Sequence, residues 1–260
     1  KAHPEIVIVG TAGPGSHADN PDFEAGWKLA TELGMPILDE HYYEPNTYFL
    51  NKRQYDNYPR DRKTKVYLGE YAAKDKKFID ALAEGLYLLH VERNADVVSM
   101  TSYAPLFARK NGTQWNPDLI YYDNERPFLT CSYYVQQMFG QSSGNYYYGD
   151  CVKFEGDAAG VVQPQENVHY GQSVILNTKT RKLFVKLCNA GAEAKTANID
   201  LSRFKGLKKL ATKTTIAGQP NDENNFDAQP IAPKSETIKA QKKFCFNLEP
   251  YSMVMLQYSL

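Results

Sequence analysis

The sequence has few cysteines, no excess charge of either sign and no long apolar run. Four cysteines stand among 260 residues, none in a Cys-x-x-Cys pair, which indicates neither a disulfide scaffold nor a zinc site. The charges of the 30 basic and 30 acidic side chains cancel, so the net charge does not indicate binding to nucleic acid or to an anionic membrane. Apolar runs such as Ile6–Val9 are far shorter than the roughly 20 residues that span a bilayer. These absences predict a soluble globular chain without nucleic-acid or membrane partners, metal or cofactor.

Aromatic residues, in contrast, are abundant, with 19 tyrosines and 12 phenylalanines. A tyrosine ring is rigid, flat and amphipathic, which suits stacking on sugars. Strands also favour tyrosine, so the composition is compatible both with a carbohydrate-binding surface and with an ordinary β-rich core.

Residues 1–142 alternate between short apolar runs and helical periods, a pattern typical of parallel strands joined by crossover helices. Helical spacing predicts helices over residues 23–33, with Asp22 as the N-cap, and over residues 79–93. Four strand–helix units are half of what a closed barrel needs, so the pattern predicts an open α/β sheet or half of a barrel. The predicted strands are Glu5–Val9, Pro36–Leu38, Lys65–Leu68 and Asp96–Met100.

A glycine-rich segment, residues 10–15, follows the first predicted strand. Ala12 stands where a dinucleotide-binding loop has its second glycine, and Pro14 removes an amide donor. The segment therefore predicts a plain tight turn, and an open-sheet nucleotide enzyme is the least favoured function.

Residues 143–260 contain short strand-like runs separated by turn-rich segments, without helical periods between them. This pattern predicts a second domain, an antiparallel β-sandwich. The residues expected in its core are Phe184, Val185, Leu187, Val254 and Leu256. The predicted strands are Tyr146–Phe154, Ser173–Asn177, Lys182–Leu187, Ala197–Leu201, Leu210–Ala217, Phe244–Leu248 and Ser252–Tyr258.

Polar and aromatic residues follow the second and third predicted strands, at the sheet edge where parallel α/β folds gather functional groups. Glu70 would project from the end of the third strand, although pairing with a surface lysine or arginine is an equally compatible role. His41, Tyr42 and Tyr43 end the preceding strand and would be lateral neighbours of Glu70. Such donors hold a carboxylate ionised and fix its orientation. Together these residues predict a site built around Glu70.

Two further features bear on such a site. Glu40 is a second carboxylate near this edge, but it alternates with His41 and would point into the surrounding layer. Trp115 beside Asn116, in the segment after the fourth strand, suits a sugar platform with a hydroxyl-binding amide. A loop tryptophan that only covers the rim is equally compatible.

Several motifs occur along the chain in a specific order. They are Glu40-His41-Tyr42-Tyr43, Leu68-Gly69-Glu70-Tyr71-Ala72, Glu92-Arg93-Asn94 with Tyr103-Ala104-Pro105-Leu106, Trp115-Asn116-Pro117-Asp118-Leu119-Ile120 and Leu248-Glu249-Pro250-Tyr251-Ser252. Over nearly the whole chain they resemble the α-L-arabinofuranosidases of glycoside hydrolase family 51. In that family a (β/α)8 barrel carries the site and a jelly-roll-like β-sandwich packs against it. The resemblance implies that residues 1–142 form barrel strands five to eight of a TIM barrel and that residues 143–260 form the sandwich.

The resemblance also implies a retaining glycoside hydrolase in which Glu70 is the catalytic nucleophile and forms a glycosyl-enzyme intermediate. The residues implied to bind substrate are His41, Tyr42, Tyr43, Trp115 and Asn116, with one of the two adjacent tyrosines also contacting the nucleophile. The substrates would be arabinose-containing oligosaccharides or polysaccharides, and no metal or cofactor is implied.

One departure from the family pattern bears on activity. The family's acid/base glutamate follows an asparagine at the end of barrel strand four, and the Asn-Glu pair here, Asn124-Glu125, lies after the last barrel strand. We therefore expect the chain to be the C-terminal half of the enzyme, inactive alone, with the missing N-terminal half as its partner. Open strand edges predict self-association as a homo-oligomer, and a secreted or periplasmic location is expected over a cytoplasmic one. A non-catalytic carbohydrate-binding protein is the alternative.

Overall fold

The computed structural model describes residue 3, residues 5–13 and residues 20–260. In its first part, a four-stranded sheet is formed by β1 (Val9–Thr11), β2 (Ile37–Glu44), β3 (Lys65–Ala73) and β4 (Val98–Thr101). The strands lie in the order β1-β2-β3-β4, and neighbouring strands are parallel. The connecting segments contain α1 (Pro21–Glu32), α2 (Asn46–Asn51), a 3-10 turn (Gln54–Asn57) and α3 (Phe78–Arg93). The predicted alternation of parallel strands and helices is confirmed.

The second and third strands are longer than predicted, so the polar residues lie inside them and not beyond their ends. β2 continues through Glu44 because it pairs with β3 from Ile37, opposite Lys65, to Glu44, opposite Ala73. The apolar runs at residues 36–38 and 65–68 mark only where these strands begin. Backbone pairing continues where the side chains become polar, because the ladder hydrogen bonds join main-chain groups.

The first strand begins later than predicted. β1 starts at Val9 and pairs with β2, whereas Ile6, Val7 and Ile8 lie before it and are exposed. The predicted strand over residues 5–9 is therefore wrong for residues 5–8. After β1, Gly13 has a φ of +88°, a backbone conformation that favours glycine in a turn. Pro14 and Gly15, which complete the predicted turn, lie outside the described residues.

Helix α1 is capped by Asn20 and not by Asp22. The side chain of Asn20 accepts a hydrogen bond from the backbone N–H of Asp22 at 2.9 Å. Pro21 then occupies the first helical position, where its missing N–H costs nothing and its fixed φ suits the helix. The buried residues follow the predicted helical spacing and are Phe23, Trp27 and Ala30.

Residues 102–142 carry elements that the sequence did not predict. They are β5 (Phe107–Arg109), β6 (Ile120–Tyr122), β7 (Pro127–Leu129) and α4 (Cys131–Gly140). The three strands form a small sheet in the order β5-β6-β7 and are too short to show a clear period of two. Neither α4 nor any other helix in the described part of the chain is long and apolar enough to cross a membrane.

The second part of the chain consists of antiparallel strands. They are β8 (Tyr146–Tyr147), β9 (Val152–Phe154), β10 (Tyr170–Asn177), β11 (Lys182–Asn189), β12 (Lys195–Asp200), β13 (Leu210–Ala217), β14 (Lys234–Lys239), β15 (Lys243–Leu248) and β16 (Ser252–Ser259). A six-stranded sheet has the order β14-β13-β16-β11-β10-β8, and a three-stranded sheet has the order β15-β12-β9. One apolar core contains side chains of both sheets, among them Val185, Leu187, Ala197 and Ile199. The predicted antiparallel pairing is confirmed.

Apart from shifts of a few residues at strand ends, two elements in this part differ from the prediction. The run Tyr146–Phe154 is not one strand, because β8 and β9 belong to different sheets. β14 is absent from the predicted strands because most of its side chains are exposed and polar, which leaves no apolar pattern in the sequence. The five residues predicted for the sandwich core are buried, at no more than 4% exposure, and are Phe184, Val185, Leu187, Val254 and Leu256. Four of them lie in the core between the two sheets, but the prediction is wrong for Phe184, which lies in the cluster that contains residues of α3. Neighbouring residues of a strand point to opposite faces, so Phe184 and Val185 cannot share one core.

Helix α3 joins the two parts of the chain. It contacts β3 and also β10, β11 and β16, and it is buried along most of its length. Near its end, the Glu92 carboxylate accepts hydrogen bonds from Ser173 Oγ at 2.6 Å and from Lys186 Nζ. Burial lowers the pKa of Lys186, and the charge of Glu92 opposes that shift. The six-stranded antiparallel sheet is thus fixed against the helix that follows β3.

Candidate active site

The side chains of β2 alternate between two environments. Leu38, Glu40 and Tyr42 are buried, whereas Asp39, His41 and Tyr43 are only partly buried. Successive residues of a strand point to opposite faces of the sheet. We call the face that carries Asp39, His41 and Tyr43 the inner face of the four-stranded sheet.

Glu70 reaches the inner face because β3 contains an extra residue. Glu40 pairs with Leu68 and His41 pairs with Glu70, so Gly69 has no partner in β2. Such a bulge re-aims the side chain that follows it. The irregularity places Glu70 directly beside His41.

Glu70 is held by two side chains of β2. The Tyr43 hydroxyl donates a hydrogen bond to Glu70 Oε2 at 2.6 Å, and His41 Nδ1 lies 3.4 Å from the same oxygen. Burial raises the pKa of Tyr43, and its hydrogen bond to Glu70 raises it further, so the hydroxyl remains a donor. The Glu70 side chain is 41% exposed, which leaves it accessible. Among the described residues, the basic side chain beside Glu70 is His41, and no lysine or arginine forms a salt bridge with it.

Glu40 lies on the opposite face, as its alternation with His41 predicted. It is fully buried, and burial raises its pKa while four hydrogen bonds oppose that shift. No cation is among these partners. The donors are Trp27 Nε1 at 2.8 Å and the hydroxyls of Tyr42 at 2.9 Å, Tyr55 at 3.2 Å and Tyr58 at 2.7 Å. Glu40 is therefore not a second carboxylate of the site.

Of the two adjacent tyrosines, Tyr43 faces Glu70 and Tyr42 does not. Tyr42 is 1% exposed and donates its hydroxyl to Glu40. The expectation that Tyr42 contacts the sugar is corrected, because strand alternation turns it toward the helices. His41 and Tyr43 are brought to Glu70 as expected.

Trp115 and Asn116 lie in the loop between β5 and β6. Trp115 is 62% exposed, and its backbone N–H donates to Thr113 Oγ1 at 3.0 Å. Asn116 Oδ1 accepts a hydrogen bond from the Tyr121 hydroxyl at 3.2 Å. Among the described residues, neither side chain is hydrogen-bonded to Glu70. Their part in a site remains a prediction.

Two acidic residues that the sequence did not single out lie at this site. Asp39 Oδ2 is 2.7 Å from His41 Nε2. Asp118 is buried, and its charge contributes to the raised pKa of Tyr43. The spacing of Asp39 and His41, two apart on one strand, was a signal that could have identified the first. Asp118 stands in a loop, where no periodicity relates it to Tyr43.

The inner face offers a carboxylate and hydrogen-bond donors. Glu70 is oriented by a hydroxyl and an imidazole and is open to solvent, which suits attack on, or charge stabilisation of, an electrophilic carbon. In the described ranges, no group of three or more acidic, histidine or cysteine side chains is arranged to hold a metal ion. The chemistry that these residues offer is that of an oriented carboxylate.

Comparison with known proteins relates most of the chain to one family. Residues 58–252 match the α-L-arabinofuranosidase C-terminal domain. An extracellular exo-α-L-arabinofuranosidase of Streptomyces chartreusis is 38% identical over 144 residues, which cover 55% of this chain and 17% of that protein. The α-L-arabinofuranosidase 2 of Arabidopsis thaliana is 31% identical over 268 residues, which cover 97% of this chain and 36% of that protein. The chain thus spans 17% and 36% of the lengths of these relatives.

Solved structures give the same relation. An arabinose-bound family 51 α-L-arabinofuranosidase is 25% identical and superposes with a TM-score of 0.81, over 99% of this chain and 40% of that one. An arabinose complex of the α-L-arabinofuranosidase from Thermotoga maritima is 18% identical and superposes with a TM-score of 0.69. The superposition covers 97% of this chain and 57% of that one. At 18% identity the second likeness concerns the fold alone.

Proposed function

Because the chain belongs to the α-L-arabinofuranosidase C-terminal domain family, we propose that it is the C-terminal part of a retaining α-L-arabinofuranosidase. The enzyme would remove terminal non-reducing arabinofuranosyl residues from arabinose-containing polysaccharides or oligosaccharides. The observation that carries the proposal is Glu70, a half-exposed carboxylate oriented by Tyr43 and His41. The arabinose-bound structural neighbour supports the substrate class.

In this proposal Glu70 is the nucleophile. Its carboxylate attacks the anomeric carbon while the bond to the leaving oxygen breaks, which gives a glycosyl ester. Water then attacks the same carbon and releases arabinose with Glu70 as the leaving group. Tyr43 and His41 orient the carboxylate, and Trp115 and Asn116 bind the substrate from the loop between β5 and β6.

We place the general acid/base outside this chain. A retaining enzyme needs a second carboxyl group about 5–5.5 Å from the first. On the inner face, Asp39 is bonded to His41, and Glu40 lies on the other face. The chain also spans 36% of its plant relative, which supports a missing N-terminal half as the source of this group.

The edges of the parallel sheet support the same partner. β1 and β4 each have one neighbour in the sheet, and Ile6, Val7, Ile8 and Met100 near these edges are exposed. Unpaired edges and exposed apolar residues favour association. The N-terminal half would cover them by completing a barrel, and the chain alone would self-associate.

The test compares two proteins on an aryl α-L-arabinofuranoside: the 260-residue chain and a longer protein that includes the upstream region. We expect turnover by the longer protein only, because losing general-acid assistance alone costs about 10²–10⁴-fold in rate. Comparable kcat/KM for both would show that the acid/base lies within this chain.

The role of Glu70 has its own test in the longer protein. Glu70→Ala should remove nearly all kcat, and azide should rescue it with an inverted product, because azide replaces the missing nucleophile on the sugar face. Wild-type turnover by Glu70→Ala would contradict the assignment.

An exposed aromatic surface favours a second function, non-catalytic carbohydrate binding. Trp115 and Phe107 are both more than 60% exposed, and such rings stack on sugars. Binding of arabino-oligosaccharides by the chain, abolished in Trp115→Ala, together with an inactive longer protein, would favour it. The extracellular relative from Streptomyces supports a secreted or periplasmic location under either function.

A further inference from the structure

Asp39, His41 and Glu70 form a continuous row of side chains on the inner face. Asp39 Oδ2 lies 2.7 Å from His41 Nε2, and His41 Nδ1 lies 3.4 Å from Glu70 Oε2. The side chains of Asp39 and His41 are only 19% and 17% exposed. The imidazole therefore stands between two carboxylates, with one ring nitrogen directed to each.

The backbone of β3 leaves room for Asp39. A Cβ on Gly69 would lie 1.9 Å from Asp39 Oδ1, so the carboxylate occupies space that any other residue at position 69 would fill. The same Gly69 is the unpaired residue that aligns Glu70 with His41. Gly69 therefore affects both Asp39 and Glu70: it leaves space for the first and aligns the second with His41.

The hydrogen-bond chemistry fixes the ring. An ionised carboxylate only accepts hydrogen bonds, so the short contact to Asp39 requires a proton on His41 Nε2. With Nε2 held in this way, Nδ1 is the nitrogen that faces Glu70 Oε2 at 3.4 Å, and it donates to that carboxylate when it carries a second proton. Without Asp39, nothing else among the described residues bonds to Nε2, and Glu70 would draw the ring proton to Nδ1.

We propose that Asp39 is a positioning residue that fixes the orientation and protonated nitrogen of His41 and thereby presents Nδ1 to Glu70. The proposal rests on the proposed function only in the role given to Glu70. Tyr43 and His41 both contact Oε2 of Glu70, so the side chains of β2 hold that oxygen.

The first test is spectroscopic and needs no activity. In the ¹⁵N-labelled 260-residue chain, long-range ¹H–¹⁵N spectra report which ring nitrogen of each histidine carries a proton. We expect a protonated Nε2 for His41 in the wild type and loss of that proton in Asp39→Ala, where Nδ1 beside Glu70 becomes the protonated nitrogen. His90 and His169, which bond to Asn94 and Asn51, serve as internal references.

Asp39→Asn keeps the volume of the side chain, so it replaces Asp39→Ala in this test if the alanine variant does not fold. Its amide can accept from Nε2–H or donate to a bare Nε2, so it too should release the ring from one tautomer. Ring signals of His41 that match the wild type in the variant that folds would overturn the proposal.

The second test separates this role from the function itself. In the longer protein, Asp39→Ala should lower kcat about 10- to 100-fold, with KM nearly unchanged; the magnitude is taken by analogy from residues that orient metal-bound histidines. Asp39→Asn should recover part of the loss. Full kcat in Asp39→Ala beside an inactive Glu70→Ala would overturn the positioning role alone, whereas activity in Glu70→Ala would overturn the proposed function.

Discussion

The hydroxyl of Tyr43 donates a hydrogen bond to Glu70, and the hydroxyl of its neighbour Tyr42 donates one to Glu40 on the opposite face of β2. Two chemically identical residues therefore have different roles because of one step along a strand. Hydrogen bonds to charged groups contribute about 1.5–3 kcal/mol. The effect of losing each bond should depend on which face it serves.

We expect Tyr43→Phe to lower kcat roughly 10- to 100-fold in the longer protein, because Glu70 loses the 2.6 Å bond that orients it. Tyr58→Phe is the matched control, since it removes a 2.7 Å hydrogen bond to Glu40 on the opposite face of the sheet, which we call the outer face. That variant should lose stability and keep its kcat. Equal kcat in both variants would contradict the assigned roles.

Gly69 is the second residue whose identity the site requires. Gly69→Ala should destabilise the chain by about 1–3 kcal/mol, the usual effect of overpacking, because the added methyl meets Asp39 Oδ1 at 1.9 Å. At Gly140, at the end of α4, a methyl meets nothing within 4 Å. Gly140→Ala should therefore be neutral or stabilising by up to about 1 kcal/mol. Urea unfolding of both variants measures the difference, and equal effects would show that the contact is relieved without strain.

At the scale of elements, α3 supports the end of β3 through a buried carboxyl group. Glu84 Oε1 accepts a hydrogen bond from the backbone N–H of Ala73, the last residue of β3, at 2.9 Å. Burial raises the pKa of Glu84 from its usual 4.5 to about 8. The folded chain therefore holds a proton on Glu84 at neutral pH that the unfolded chain releases.

This difference predicts a pH dependence of stability. Below 4.5 both states carry the proton, and as the pH rises toward about 8 only the unfolded state loses it, so the free energy of unfolding falls. Glu84→Gln keeps an acceptor for Ala73 and removes the titration. Relative to that variant, the wild type should lose about 1–4 kcal/mol between about pH 5 and about pH 9. Parallel urea unfolding curves for the two proteins across this range would refute the effect.

At the scale of the molecule, one buried ion pair links the parallel sheet region to the antiparallel sheets. Lys186 of β11 is fully buried and bonds to Glu92 of α3. Removing one partner of such a pair leaves an uncompensated buried charge, which costs about 3–5 kcal/mol. The link therefore stabilises the junction as long as both charges are present.

Glu92→Gln should accordingly destabilise the chain by about 3–5 kcal/mol, and addition of Lys186→Met should restore part of that stability. The control is the exposed pair Lys195–Glu193, where Glu193 is 85% exposed. Glu193→Gln should change stability by less than about 1 kcal/mol. Thermal unfolding of the four proteins measures this, and a double variant no more stable than Glu92→Gln would contradict the charge argument.

The sequence by itself determined the alternation of parallel strands and helices, the change to antiparallel strands and the strand on which Glu70 lies. These features are local, because apolar periodicity and strand alternation act over neighbouring residues. Alternation also placed Glu40 on the outer face before the structure did. The core residues Val185 and Leu256 follow from the same pattern.

Only the tertiary structure decided which side chains meet at Glu70. The choice of Tyr43 over Tyr42 depends on the bulge at Gly69, which shifts the register between β2 and β3. The contact of Asp39 with His41 depends on the space that this glycine leaves, and the link of Glu92 to Lys186 joins residues far apart in the sequence. Such contacts arise from register and packing between elements, and local periodicity carries no information about them.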